Sequence, residues 1–131
     1  MNLESTLLAA NAAYYDAFAR CDLDAMAALW ADDGVSCVHP GWPPILGRER
    51  VLTSYKQIFA NPHQEPVRHR CENFLLGEDG GRVFCMETVG ETALAATNWF
   101  RRIDSRWRLT HHQASLLAFA PRPEEPTTTR H

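Results

Sequence analysis

Leu7, Asn11, Tyr14, Tyr15 and Phe18 recur at helical spacing near the start of the chain and predict an amphipathic helix over roughly residues 3 to 20. Asp22 follows, an acceptor for the free backbone N–H groups that open a second, shorter helix whose inner stripe is Leu23, Met26, Leu29 and Trp30. Asp32-Asp33-Gly34 ends it, Gly34 supplying the positive φ of a helix exit. Val35 to Val38 then reads as a short strand. His39-Pro40-Gly41-Trp42-Pro43-Pro44 reads as a loop, because proline fixes φ and removes a donor. After Gly47, Val51, Leu52, Tyr55, Ile58 and Phe59 share one face of a third helix, which Asn61-Pro62 breaks.

From Val67 the period changes from helical to alternating. Strands are predicted over 67 to 76, 82 to 89, 92 to 103 and 106 to 117, with a turn at Gly77 to Gly81 and a tight hairpin at Asp104-Ser105. Helices first and a meander of strands last is an α+β order. One domain over residues 1 to 120 accounts for this pattern, and the Pro/Thr-rich stretch 121 to 131 is expected to be poorly ordered. Alternation gives the strands a direction. Trp107 and Leu109 predict that His111, Gln113 and Ser115 face the helices, while Arg106, Arg108, Thr110 and His112 face away. Asn98 and Phe100 are assigned to the inner face of their strand, and Glu87 is the only acid on the face it shares with Val83 and Cys85.

Composition changes this picture little. With 131 residues, 45% hydrophobic and 22% charged, the chain has the make-up of an ordinary globule able to bury a core. A formal charge of −3 and basic residues scattered over several elements give no nucleic-acid-binding face. No apolar run is long enough for a membrane span, and the N-terminus lacks the basic and apolar regions of a secretory leader, so a cytoplasmic location is expected. Cys21, Cys37, Cys71 and Cys85 have no paired spacing and read as buried free thiols. No H-E-x-x-H, H-x-H or C-x-x-C spacing recommends a metal, and no cofactor is called for.

The ordered set L-W-A-D-D-G, H-P-G-W, G-R-E-R-V and W-R-L-T-H-H-Q-A-S, spread over residues 5 to 117, resembles the SnoaL-like family, in the superfamily of nuclear transport factor two (NTF2) and the ketosteroid isomerases. The resemblance implies a cone-shaped roll of three N-terminal helices packed on a curved antiparallel β-sheet around an internal pocket. It also implies pairing of two copies through the outer sheet face, where Trp99 lies opposite Phe100 on a strand apolar on both sides. Relatives often close with three histidines before Ala-Ser, where this chain has His111-His112-Gln113. The Tyr/Asp pair of the ketosteroid isomerases has no counterpart at recognisable positions.

A pocket in such a cone draws Tyr15 and Asn11 from the first helix and Trp30 from the second. The loop supplies His39 and Trp42, the third helix Tyr55, and the sheet Asn98, His111 and Gln113. Aromatic rings serve core packing equally well, so Trp30, Tyr55 and Trp107 have that second reading. His39 and His111 are the candidate acid–base groups, since imidazole titrates near neutral pH; His39 also fits a loop-bracing role. Tyr15, Trp30, Trp42, Tyr55, Asn98 and Gln113 are the candidate substrate contacts. Three functions remain open: a small cofactor-independent enzyme of isomerase, cyclase or hydrolase type acting on a hydrophobic oxygenated molecule, a non-catalytic binder of such a molecule, or a homodimeric association domain.

Overall fold

A computed structural model describes residues 2–118. Helix α1 spans Leu3–Ala19 and is capped by Asn2, whose Oδ1 accepts from the Ser5 N–H at 2.7 Å. Asp22 caps α2 (Leu23–Leu29) by accepting from the Ala25 N–H at 3.0 Å, and that bond draws its carboxyl below the ordinary range. Helix α3 spans Arg48–Ala60 and starts at Gly47, whose φ of 95° favours glycine. Arg48, at its first turn, donates to the carbonyls of Ala27, Trp30 and Ala31, tying the free end of α2 to the start of α3.

The strands are β1 (Ser36–Val38), β2 (Ile45–Leu46), β3 (Val67–Leu76), β4 (Gly80–Val89), β5 (Thr92–Ile103) and β6 (Arg106–Leu116). They form one sheet in the order β2-β1-β6-β5-β4-β3, curved and open rather than closed into a barrel. Three helices and a curved sheet agree with the expected α+β roll. The sheet is mixed, however, not wholly antiparallel. β1 runs parallel to β6, with Ser36 opposite His111 and Val38 opposite Gln113, and everything between them serves as the crossover that a parallel pair requires. β2 was not foreseen, because two residues beyond a Pro-Pro pair carry no periodicity; it lies at the sheet edge, where a neighbouring proline is tolerated.

The helices cover the concave face, and their apolar stripes meet it in one core that includes Leu7, Met26, Trp30, Val51, Tyr55, Val83, Phe100 and Leu109. At Gly81 a Cβ would stand 2.7 Å from a Leu7 methyl, so glycine is what lets α1 lie so close to β4. Cys37 and Cys85 are buried thiols, whereas Cys21 is exposed in the turn after α1, at φ 51°. The Cys71 side chain and the expected tail 121 to 131 lie outside the described residues. Among the described residues, no helix is long and apolar enough to cross a membrane.

The alternation expected for β6 breaks at Thr110. Trp99 pairs with His111 but Phe100 pairs with Leu109, so β6 carries one extra residue, a β-bulge. Beyond it every side chain changes face. His112 and Ala114 are buried against the helices, while His111 and Gln113 turn to the outer face, contrary to the direction inferred from Trp107 and Leu109. On β5 the inner positions Leu94, Ala96, Asn98 and Phe100 follow regular alternation.

Candidate functional site

A cavity of about 520 Å³ opens between α1, α3, the loop after β1 and the concave face of the sheet. Phe18, Ile58, Val89, Leu94 and Leu116 give it apolar walls. Tyr14, Tyr15, His39, Glu87 and His112 are its buried polar residues, and Gln57, Asn61, Gln64, Glu65 and Thr92 line its more exposed part. Four of the buried ones are each brought there by a local cause. Tyr15 lies on the inner stripe of α1, Glu87 on the inner face of β4, and His39 at the end of β1, where the chain leaves the sheet. His112 is brought round by the Thr110 bulge.

Glu87 ends a largely buried hydrogen-bond network that branches at Asn98. Its Oε2 accepts from the Tyr15 hydroxyl at 2.6 Å. The Asn98 amide donates to Tyr15 Oη at 3.2 Å and to Asn11 Oδ1 at 2.8 Å, and Asn98 Oδ1 meets His112 Nδ1 at 2.6 Å. Asn11 in turn donates to Glu72 Oε2 at 2.6 Å. Because the Asn98 amide nitrogen spends its hydrogens on Asn11 and Tyr15, Asn98 Oδ1 is an acceptor and His112 donates from Nδ1. The lone pair of His112 is then on Nε2.

A second cluster holds His39. Ser54 gives its hydroxyl hydrogen to the Val51 carbonyl at 2.6 Å, so its oxygen accepts from His39 Nε2 at 2.9 Å, and His39 keeps its lone pair on Nδ1. Tyr55 packs edge-on to His39 and shares a 2.7 Å hydroxyl contact with Tyr14. Trp42 stands edge-on to the His39 ring at 4.9 Å and is 38% exposed, as befits a group at the cavity mouth.

Burial sets the charges. Desolvation pushes Glu87 up from the ordinary carboxylate value, against the Tyr15 hydrogen bond, which pulls it down. Desolvation lowers His39 to about 4 and, with the neighbouring His39 and His111 rings adding to it, His112 to about 3. Both rings are therefore neutral at pH 7. The Tyr15 hydroxyl is raised, first by burial and then by the Glu87 charge, and stays a donor.

Of the residues singled out in the sequence, Tyr15, His39 and Trp42 line the cavity. Trp30 and Tyr55 lie in the core and do not line it; the Trp30 indole N–H has no partner among the described residues. Asn98 faces inward but is spent on Asn11, Tyr15 and His112. His111 and Gln113 are on the far side of the sheet, where His111 Nδ1 meets Ser36 Oγ at 2.7 Å and its Nε2 lies 3.2 Å from Gln113 Oε1. His112 and Tyr14 were missed. For His112 the signal was present: the apolar positions of β6 are odd at Trp107 and Leu109 but even at Ala114 and Leu116, a phase change that marks the bulge.

A SnoaL-like domain profile matches residues 7–119. A candidate dehydratase of the NTF2-like family from Streptomyces avermitilis is 34% identical over 88% of this chain and 96% of its own, with a TM-score of 0.78. A candidate calcium/calmodulin-dependent protein kinase type II association domain from Thiobacillus denitrificans is 33% identical over 86% of this chain and 95% of its own, with a TM-score of 0.75. A candidate ketosteroid isomerase from Parabacteroides distasonis shares the fold at 18% identity, covering 89% of each chain with a TM-score of 0.72. No curated protein matches the chain. The roll of three helices on a curved sheet and a profile match over nearly all the described residues place the chain in the SnoaL-like family of the NTF2-like superfamily.

Proposed function

We propose that this protein is a small, cofactor-independent enzyme that moves a proton on a hydrophobic oxygenated molecule, as in dehydration or double-bond isomerisation. The observation that carries this reading is Glu87: a buried carboxyl in an apolar-walled cavity, raised by burial and held in place by Tyr15. A carboxyl shifted toward neutral pH is suited to take a proton and return it. Glu87 takes the proton next to a substrate carbonyl. It then gives the same proton either to a departing hydroxyl, which leaves as water, or to a different carbon, which completes an isomerisation. Either route restores the carboxylate. His39 and His112, as acceptors, orient a substrate hydroxyl, and Tyr15 positions Glu87. The relative named as a candidate dehydratase supports the same class of chemistry.

The test offers β-hydroxy ketones and β,γ-unsaturated ketones and follows the absorbance of the conjugated enone. Turnover of at least one series is expected, falling by about 10²–10⁴-fold in Glu87→Gln with the fold intact. No turnover on either series, or undiminished turnover in the variant, overturns the reading.

A second reading, association of two copies, is favoured by one observation on the outer face: Trp99 is 45% exposed beneath the Arg82 guanidinium, which stands 5.2 Å from the ring centroid. The relative named as a candidate association domain agrees with it. The two readings are compatible, since they use opposite faces of the sheet.

A further inference from the structure

The cavity wall presents two imidazole lone pairs and no imidazole donor. His112 has its hydrogen committed to Asn98, and His39 has its hydrogen committed to Ser54. The free nitrogens are His112 Nε2, with no hydrogen-bond partner among the described residues, and His39 Nδ1, which meets only the weak Cys37 thiol, at 3.8 Å. Burial keeps both rings unprotonated at neutral pH, so neither becomes a cation. Around them stand carboxyl groups: Glu87 in the wall and Glu65 at the mouth. The Glu65 carboxylate lies against the β4–β5 turn at Gly90, where a Cβ would approach its oxygen to 2.9 Å. Among the described lining residues there is no arginine or lysine to receive an anion.

From this tautomer pattern we infer that the cavity selects an uncharged ring bearing a hydroxyl group, which donates to His112 Nε2 or His39 Nδ1, and that it rejects carboxylates and phosphates of the same shape. The inference rests on the proton-transfer site proposed above and names its substrate class. A hydroxyl satisfies a lone pair that an ether of the same ring leaves unpaired once it has displaced water from the cavity. A carboxylate brings acceptors to acceptors and a charge to a wall already carrying acids. The apolar surroundings supply affinity, and the two nitrogens supply the discrimination.

Equilibrium binding of three matched probes tests this without requiring turnover: 2-naphthol, 2-methoxynaphthalene and 2-naphthoate, each titrated against the full chain at pH 7 by calorimetry or tryptophan fluorescence. The naphthol is expected to bind at least about tenfold more tightly than the methyl ether, as one hydrogen bond gained and one lone pair left unpaired allow. The naphthoate should bind more weakly than both. In His112→Phe the preference for naphthol over the ether should shrink; if that variant does not fold, the ranking in the unaltered protein decides. Equal affinity for naphthol and its ether, naphthoate binding as tightly as naphthol, or no naphthol binding up to its solubility limit each overturns the inference. A protein that ranks the probes as expected yet turns over no ketone keeps this inference and loses the proposed reaction. One that turns over ketones without the ranking does the reverse.

Discussion

As the pH falls, two buried imidazoles and one buried carboxyl pull the folded state in opposite directions. His39 and His112 stand at about 4 and about 3 in the fold, below the value of a free imidazole, about 6.5. As the pH falls the unfolded chain takes up protons first, so the stability these rings contribute is present above the unfolded value and is lost below it. By pH 5 each ring has cost about 2 kcal/mol relative to pH 7. Glu87 works the other way, because a folded value raised above the unfolded one adds stability at low pH that disappears as the pH rises through it. Thermal melts should therefore show stability falling from pH 7 to pH 5. The fall should be shallower in His112→Gln and steeper in Glu87→Gln. Parallel curves for all three proteins would contradict the assignment of these groups as buried and unprotonated imidazoles and a perturbed carboxyl.

At the scale of the element, the two β-bulges do similar work. On β3 the register shifts between Arg70 and Asn73, and Glu72, inside the shift, reaches Asn11 of α1. On β6 the shift at Thr110 brings His112 onto Asn98. Each irregularity feeds a polar group into the same network, at a place where regular alternation would have sent it to solvent. This marks the limit of what the sequence disclosed. Helices, long strands and the Asp104-Ser105 hairpin were legible because period and turn chemistry are local. The inner face of β5 was legible because nothing interrupts it. The far half of β6 was misjudged because one extra residue reverses every later side chain, and Trp107 and Leu109 lie on the near side of it. The hairpin itself offers a test. Asp104 and Ser105 both sit at positive φ, 52° and 65°, where a side chain is strained. Ser105→Gly should raise stability by about 0.5–1 kcal/mol and the melting temperature by about 2–4 °C. An unchanged or lowered melting temperature would show that the strain is relieved elsewhere.

For the whole molecule, the outer sheet face is the surface left to explain. Trp99 is held there by Arg82 on one side and approaches the His111 ring at 6.3 Å on the other. If two copies pair through this face, Trp99→Lys should give a monomer by sedimentation at micromolar concentration while the melting curve of the single chain stays cooperative. A monomer before the substitution would remove the case for pairing. The cavity side was only partly visible from sequence, because its polar groups come from elements whose mutual placement no local pattern encodes: Tyr15 and Glu87 are 72 positions apart. The parallel pair β1–β6 carries this furthest. Ser36 and His111 are separated by 75 positions, and the strand just before His39 has its long partner only in the last strand described. During synthesis, the segment around His39 leaves the ribosome well before the strand that fixes it exists. The helices have time to form and fray without a binding site between them. The site is thus completed only when β6 joins the sheet, and a product cut short before His111 lacks both the long partner of β1 and the His112 that lines the cavity.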